Sequence, residues 1–439
     1  MKKDTAIRGL PGNYFTGKDG ETYRFTILKD IATAGADPVP YDDSQQDSIF
    51  SLYGKCRDFA LYVHFPWCAE HCSYCHYYRG PVIKRIEYGK LLEAERMHAK
   101  MMDERIDLAH RQVHSIYFGG GTPTVIPVDL LEQSLEYYVG RYGQGGDCEV
   151  CVESSIITLV PKKIEVLERY VNRLSIGVQS FADRILKIVE RKHSAAKAEE
   201  VLQEVVPRFQ SVNIDLIYGL YTQSLEDWLK TIEKAIELKI QSLTVYRLDI
   251  RDIPSIVSLF RQEPEKFPDE RLCWQMYREA KSMLEAAGYR ENLLGWFLLP
   301  QVKDTVVYRE RWEKQSPCIA FGPGLHNYGA DHFYETLADS QQYIAALEAG
   351  KLPIQHTYSM TVEKQVIWYV MAQWKSNSPV YKPVMIQRFG HEVFAWFKTL
   401  VQRYITWEVL KESGDKLEIS EEYHYILEWI LLELITSLP

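Results

Sequence analysis

The chain has 439 residues, 46% hydrophobic and 25% charged, enough to bury a large core and to divide into two domains plus an N-terminal extension. A formal charge of -9 opposes non-specific binding to nucleic acid, and the cysteines form no disulfide framework, which fits a reducing compartment. No apolar signal core follows Met1, and the strongest apolar run, Tyr425 to Leu438, is short and carries Glu428 and Glu433, so we expect a cytoplasmic protein with a small-molecule substrate and no nucleic-acid or membrane partner.

Residues 1–55 read as an N-terminal extension, with Ile31 to Gln46 an extended or mobile leader, and the ordered part is expected to begin near Phe59. Six β-branched or aromatic runs then follow: Phe59 to His64, Val113 to Phe118, Glu149 to Glu153, Arg173 to Val178, Val212 to Ile217 and Ser242 to Tyr246. Helical spacing separates them at Tyr88 to Arg111, Val128 to Arg141, Asp183 to Arg191 and Leu225 to Leu238. The alternation predicts an α/β fold, an open partial (β/α)6 barrel over residues 56–265. From 266 to 439 the pattern changes to helices at Asp269 to Ala287, Asp339 to Ala349, Thr361 to Trp374 and Tyr423 to Leu434, a mainly helical domain that could cover the barrel mouth.

The distinctive polar features fall at strand ends. The cysteine loop follows the first run, Gly119-Gly120-Gly121-Thr122 the second, Glu153 ends the third, Gln179 follows the fourth, Asp215 lies in the fifth, and Tyr246 and Arg247 close the sixth. Parallel barrels build active sites at that edge.

Cys68, Cys72 and Cys75 read as ligands for three irons of a 4Fe-4S cluster, which leaves one iron open to a chelating molecule. Zinc is the competing reading, with His71 or His76 as a fourth ligand, but no second ligand pair is evident. Cys148 and Cys151 fall on opposite faces of a strand, and Cys56, Cys273 and Cys318 are isolated, so all five read as packing residues. The glycines let backbone approach a ligand closely, Arg191 could clamp a carboxylate, and Glu153, Gln179 and Asp215 could bind ribose hydroxyls or an amino group.

Cys68-x3-Cys72-x2-Cys75 resembles the motif of radical S-adenosylmethionine (SAM) enzymes, and YFGGGTPT, LSIGVQSF, NIDLIYGL and IAFGPGLHNYG resemble the oxygen-independent coproporphyrinogen III dehydrogenase branch, from Leu61 to Asp331. The resemblance implies a cluster whose open iron chelates SAM and a 5'-deoxyadenosyl radical formed by one-electron reduction. It assigns Gly120 and Gly121 to the SAM amino group, Arg191 to its carboxylate, and Glu153, Gln179 and Asp215 to its ribose and methionine parts. It also implies a reduced flavodoxin or ferredoxin as electron donor and, for this branch, a second SAM.

Two departures steer the reaction. The porphyrinogen dehydrogenases carry a further cysteine where this chain has Tyr77, and the string after Gly288-Tyr289 is altered through Gly295-Trp296. The leading expectation is therefore methyl or methylene transfer from a second SAM to an sp2 carbon, a C-methylation or cyclopropanation of a natural-product intermediate. Tetrapyrrole chemistry, either porphyrinogen oxidation or haem degradation, is the second expectation, and a haem chaperone ligating through His326 the third. Tyr77, Tyr78, Glu291, Trp296 and His326 are the candidates for the substrate side, with Glu291 or His326 as the base.

Overall fold

The computed structural model describes residues 36–75, 84–143, 146–248, 253–302, 316–329 and 332–438. Strand β1 (Val39–Pro40) and helix α1 (Gln46–Gly54) come first, then β2 (Asp58–Phe65), β3 (Gln112–Gly120), β4 (Glu149–Ser155), β5 (Arg173–Gln179), β6 (Ser211–Tyr218) and β7 (Ser242–Arg247). Strands β2 to β7 pair in sequence order, all parallel, so each of the six expected runs is a strand of the expected barrel sheet. Order begins earlier than expected: β1 pairs with residues 356–357, and Asp42 and Gln45 form a reciprocal cap on the turn before α1.

Within the strands core residues alternate with a period of two, interrupted by pairing irregularities at Phe59/Ala60 and Gly177/Gln179. Phe59, Leu61 and Val63 of β2, Leu174, Ile176 and Val178 of β5, and Val212, Ile214 and Leu216 of β6 join the core beneath the helices. Six helices or helix pieces supply the other side of that core: α2 (Arg85–Ile106), α3 (Val128–Tyr142), α4 (Pro161–Tyr170), α5 (Asp183–Ile188), α6 (Ala195–Val205) and α7 (Leu225–Glu237). The intervening strand residues face inward and are polar: Tyr62 and His64, Tyr117, Glu153, Arg173 and Ser175, Asn213 and Asp215, Ser242 and Thr244. An oily shell around a polar lumen is thus built into each strand.

Beyond α8 (Pro254–Gln262) and α9 (Glu270–Ala286) the chain returns to the sheet, which the sequence did not suggest. Strands β8 (Arg290–Leu293) and β9 (Trp296–Leu298) extend it beside β7. On the other flank β10 (Cys318–Phe321) runs parallel to β2, followed outward by β11 (His326–Tyr328), β12 (His332–Thr336) and β13 (Ile354–Ser359), with α10 (Ser340–Glu348) between the last two. The result is one sheet of thirteen strands in the order β1-β13-β12-β11-β10-β2-β3-β4-β5-β6-β7-β9-β8.

Helices α11 (Val362–Lys375), α12 (Lys382–Phe389), α13 (His391–Thr406) and α14 (Leu427–Thr436) supply the expected C-terminal helical content, around a small sheet of β14 (Val380–Tyr381), β15 (Leu410–Ser413) and β16 (Lys416–Ile419). Leu427, Ile430, Leu431 and Leu434 are buried, so the apolar C-terminal run is a core helix. No helix among the described residues is long and apolar enough to cross a membrane.

Candidate active site

The cysteine loop leaves the C-terminal end of β2 and is stapled at once to the end of β3. Gly121 N donates to Phe65 O and Thr122 N to Trp67 O, each at 2.7 Å, and Cys68 Sγ lies 3.6 Å from Thr122 Oγ1. The glycines are sterically required there. A Cβ on Gly121 would stand 2.5 Å from Trp67 O, and Gly120, at φ +110°, would place one 2.3 Å from His64 Nδ1.

Glu153 sits immediately beneath this turn. Its carboxylate accepts from Tyr117 Oη at 2.8 Å and from the Gly120 amide at 2.9 Å. Burial pushes its pKa up to about 7 against the pull of the Tyr117 hydrogen bond, with the negative charge of Asp215 adding to the rise. Asp215 is likewise raised by burial, to about 6, despite hydrogen bonds from Asn213 and Thr244. Asn213 organises that corner: it donates to Ser175 Oγ and Asp215 Oδ1 and accepts from Ser242 and Thr244. Gln179 closes the ring, buried at a positive φ of 67°, with its side-chain oxygen unmatched by any donor.

Arg191 already has partners within the chain. Its guanidinium donates to Gly177 O at 2.6 Å and to Cys72 Sγ at 3.4 Å, and pairs with Glu70 Oε2 at 3.2 Å. The carboxylate in its fork is therefore one from the cysteine loop itself. On the other oxygen Glu70 accepts from the Lys192 amide at 2.7 Å, and Ser73 N reaches Val189 O at 3.4 Å, so the 189–192 turn clasps the cysteine loop along its length.

The residues present fit a cluster. Cys68, Cys72 and Cys75 lie on one loop and none is in a disulfide, Cys72 is buried with Arg191 Nη1 3.4 Å from its sulfur, and the triple glycine leaves backbone bare beside them. No group of three His, Cys, Asp or Glu among the described residues converges on a single ion. A cubane asks for something different, since each thiolate binds its own iron at a separate corner. His71 is exposed, which weakens the zinc alternative, and His76 lies outside the described residues. Cys151 is buried toward the lumen and Cys148 packs among the helices, as opposite strand faces require.

The substrate-side candidates do not gather at one point. Tyr77 and Tyr78 lie outside the described residues. Glu291 is held by the fold: its carboxylate accepts from Tyr277 Oη (2.7 Å), the Gly295 amide (2.7 Å) and Lys281 Nζ (3.0 Å), contacts that lock the β8–β9 turn. Trp296 is buried on β9 with Arg173 over its ring at 5.9 Å. His326 stands on β11 in register with Glu335 and His356 of the next two strands, 5.8 Å from the Tyr358 ring.

Tyr62, His64 and Tyr117 escaped the sequence reading. Tyr62 stacks on Tyr117 at 6.0 Å and meets His64 Nδ1 at 3.3 Å, and burial depresses the His64 pKa to about 4, leaving a neutral imidazole. The polar or aromatic residues that alternate with the apolar ones, Tyr62 and His64 in β2 and Tyr117 before Gly119 in β3, were the available signal.

Residues 62–235 match the radical SAM superfamily. The chain is 31% identical over 242 residues to the haem chaperone HemW of Escherichia coli, covering 54% of this chain and 62% of that protein. It is 30% identical over 271 residues to the mouse mitochondrial radical S-adenosyl methionine domain-containing protein 1, covering 61% and 60%. It thus spans about three fifths of the length of these relatives. The solved coproporphyrinogen III oxidase HemN of Escherichia coli, a radical SAM enzyme, shares its fold with a TM-score of 0.78 over 91% of this chain and 94% of that one, at 19% identity. The cysteine motif, the glycine turn, the end of β2 and strands β3 to β6 of the parallel sheet fall inside the region that matches the radical SAM superfamily, and the chain is similar there to the HemW proteins and shares its fold with HemN.

Proposed function

We propose that this chain binds a 4Fe-4S cluster through Cys68, Cys72 and Cys75 with SAM beside it, cleaves SAM reductively, and acts on a tetrapyrrole. The observation that carries the reading is the stapling of the Gly119–Thr122 turn to the cysteine loop, with Glu153, Gln179, Arg191 and Asp215 around the same strand ends. When bound, the cluster supplies the electron that splits SAM and yields a hydrogen-abstracting adenosyl radical, the electron coming from a reduced flavodoxin or ferredoxin.

The chain's own residues hold and orient. The bare backbone of Gly119 to Gly121 admits the methionine end of SAM against the cysteine loop, where a side chain at Gly121 would collide with Trp67 and one at Gly120 with His64. Glu153 and Asp215, with pKa values near neutrality, accept from ribose hydroxyls or an ammonium in their anionic forms. Gln179 contributes a buried oxygen that already awaits a donor. The stacked Tyr62 and Tyr117 offer a flat aromatic wall on the inward face.

The tetrapyrrole rests on two of the relatives, whose names speak of haem and of coproporphyrinogen, whereas none of the three described above carries methyl transfer in its name. Methyl or methylene transfer from a second SAM is thus the weaker reading. A haem-carrying role without turnover has one observation in its favour: the His326, Glu335 and His356 row beside Tyr358 offers imidazoles on a partly exposed sheet face.

The test is anaerobic reconstitution with iron and sulfide, then dithionite and SAM with and without coproporphyrinogen III or haem, in the wild type and Cys72→Ala. Deoxyadenosine that rises with the tetrapyrrole and vanishes in the variant supports the proposal. A stoichiometric Soret band with no tetrapyrrole-dependent deoxyadenosine favours the carrier, and S-adenosylhomocysteine restores methyl transfer. Neither nucleoside nor Soret band, at full iron content, ends the proposal.

A further inference from the structure

The ion pair between Arg191 and Glu70 is a costly thing to build. Both side chains are almost fully buried, at 6% and 4% exposure, and a buried cation requires an anion close by. Glu70 is also aimed: its second oxygen is fixed by the Lys192 amide at 2.7 Å, and Lys192 Nζ in turn caps Ala69 O at 3.0 Å. A glutamate free to reach solvent from a loop would not be held at both ends in this way. Arg191 meanwhile has Nη2 committed to Gly177 O, Nη1 shared between Cys72 and Glu70, and Nε buried with no acceptor. Of the five guanidinium N–H groups the chain engages three, and the Nε N–H is left over for a guest.

Resting on the reading of this site as a SAM site, we propose that Glu70 is a resident stand-in for the carboxylate of SAM. It neutralises Arg191 in the ligand-free state and must yield or share the guanidinium when SAM arrives. An arriving carboxylate meets a pre-neutralised cation, so the apparent affinity is the intrinsic one reduced by the fraction of molecules in which Arg191 is released. The device discriminates against small free anions, which gain only the contested guanidinium, in favour of a ligand whose adenosine is gripped elsewhere in the lumen.

The test measures equilibrium dissociation constants by anaerobic dialysis for reconstituted wild type and Glu70→Gln at matched iron content. The glutamine oxygen keeps the Lys192 amide satisfied while removing the charge opposite Arg191. Two probes are compared: SAM, and methylthioadenosine, which keeps the adenosine and lacks the carboxylate. The expected result is SAM bound about tenfold more tightly by the variant, with methylthioadenosine unchanged. Unchanged or weaker SAM binding overturns the proposal, and so does a parallel change in both ligands, which marks a general loosening of the loop. If Glu70→Gln does not retain its cluster, Glu70→Asp, which draws the carboxylate back from Arg191 by one methylene, is measured the same way and must also tighten SAM alone. A wild type that binds neither ligand at full iron content instead sinks the SAM-site reading itself.

Discussion

Thr122 N donates to Trp67 O at 2.7 Å, one residue before Cys68, so the end of β3 holds the start of the cysteine loop by backbone alone. Side chains cannot adjust such a contact, and the loop's position is as rigid as the sheet that carries it.

Gly121→Ala breaks this arrangement, because the new Cβ meets Trp67 O at 2.5 Å and backbone cannot swing aside. The expected loss is about 1–3 kcal/mol of stability, together with most of the bound iron after reconstitution. Urea unfolding and iron analysis check it, and full iron retention at unchanged stability counts against the staple.

SAM binding is expected to weaken as pH falls through about 7, where Glu153 takes up a proton and ceases to be an anionic acceptor. The Tyr117 hydrogen bond favours the ionised form, so Tyr117→Phe moves the midpoint upward, by about one pH unit. Dialysis against SAM across the neutral range measures both midpoints, and coincident curves for the two proteins refute the assignment.

Glu95, on α2, is fully buried with both oxygens lacking donors, beside His98, whose Nδ1 meets Tyr343 Oη at 3.0 Å. Burial holds its pKa well above the ordinary carboxylate value, so the folded chain keeps a proton that the unfolded chain releases, and stability falls as pH rises above the unfolded pKa. Glu95→Gln removes that loss. Its stability advantage over wild type should grow with pH by up to about 1.4 kcal/mol per unit, while a shallower slope persists from Glu153 and Asp215, which are shifted in the same direction. Denaturant titrations at acidic and neutral pH decide it; a constant offset is the contrary result.

Glu291→Ala strands the Gly295 amide and the Tyr277 hydroxyl and leaves Lys281 to Glu421 alone at close range, at a turn where the carboxylate side chain is 2% exposed. A cost of about 3 kcal/mol is expected, with deoxyadenosine formation per folded, iron-loaded molecule unchanged. Loss of that turnover at full iron content would return Glu291 to the chemistry.

The six barrel strands were legible because β-branched and aromatic runs with helical spacers leave few alternatives, and the cysteine, glycine, Glu153 and Asp215 positions followed from strand ends. The inward polar set was not read, because attention to strand ends overlooks a period of two running through the strand. Helices α4 and α6 carried usable start signals, Pro161 and the Ser194 cap on Lys197 N, yet were passed over. Strands β10 to β13 are three to six residues long, rich in His and Tyr, and set among helices, so no apolar periodicity announces them. Glu70 reads in sequence as one more solvated acid, and only the fold brings residue 191 back to meet it.

Strand β10 lies against the otherwise open edge of β2, although more than two hundred and fifty residues separate their starts. During synthesis the strand that leads into the cysteine loop must therefore wait, one edge bare, until more than two hundred and fifty further residues have left the ribosome. A nascent fragment stopped at the end of β7 would therefore expose a sticky edge beside the root of the cysteine loop instead of a closed sheet.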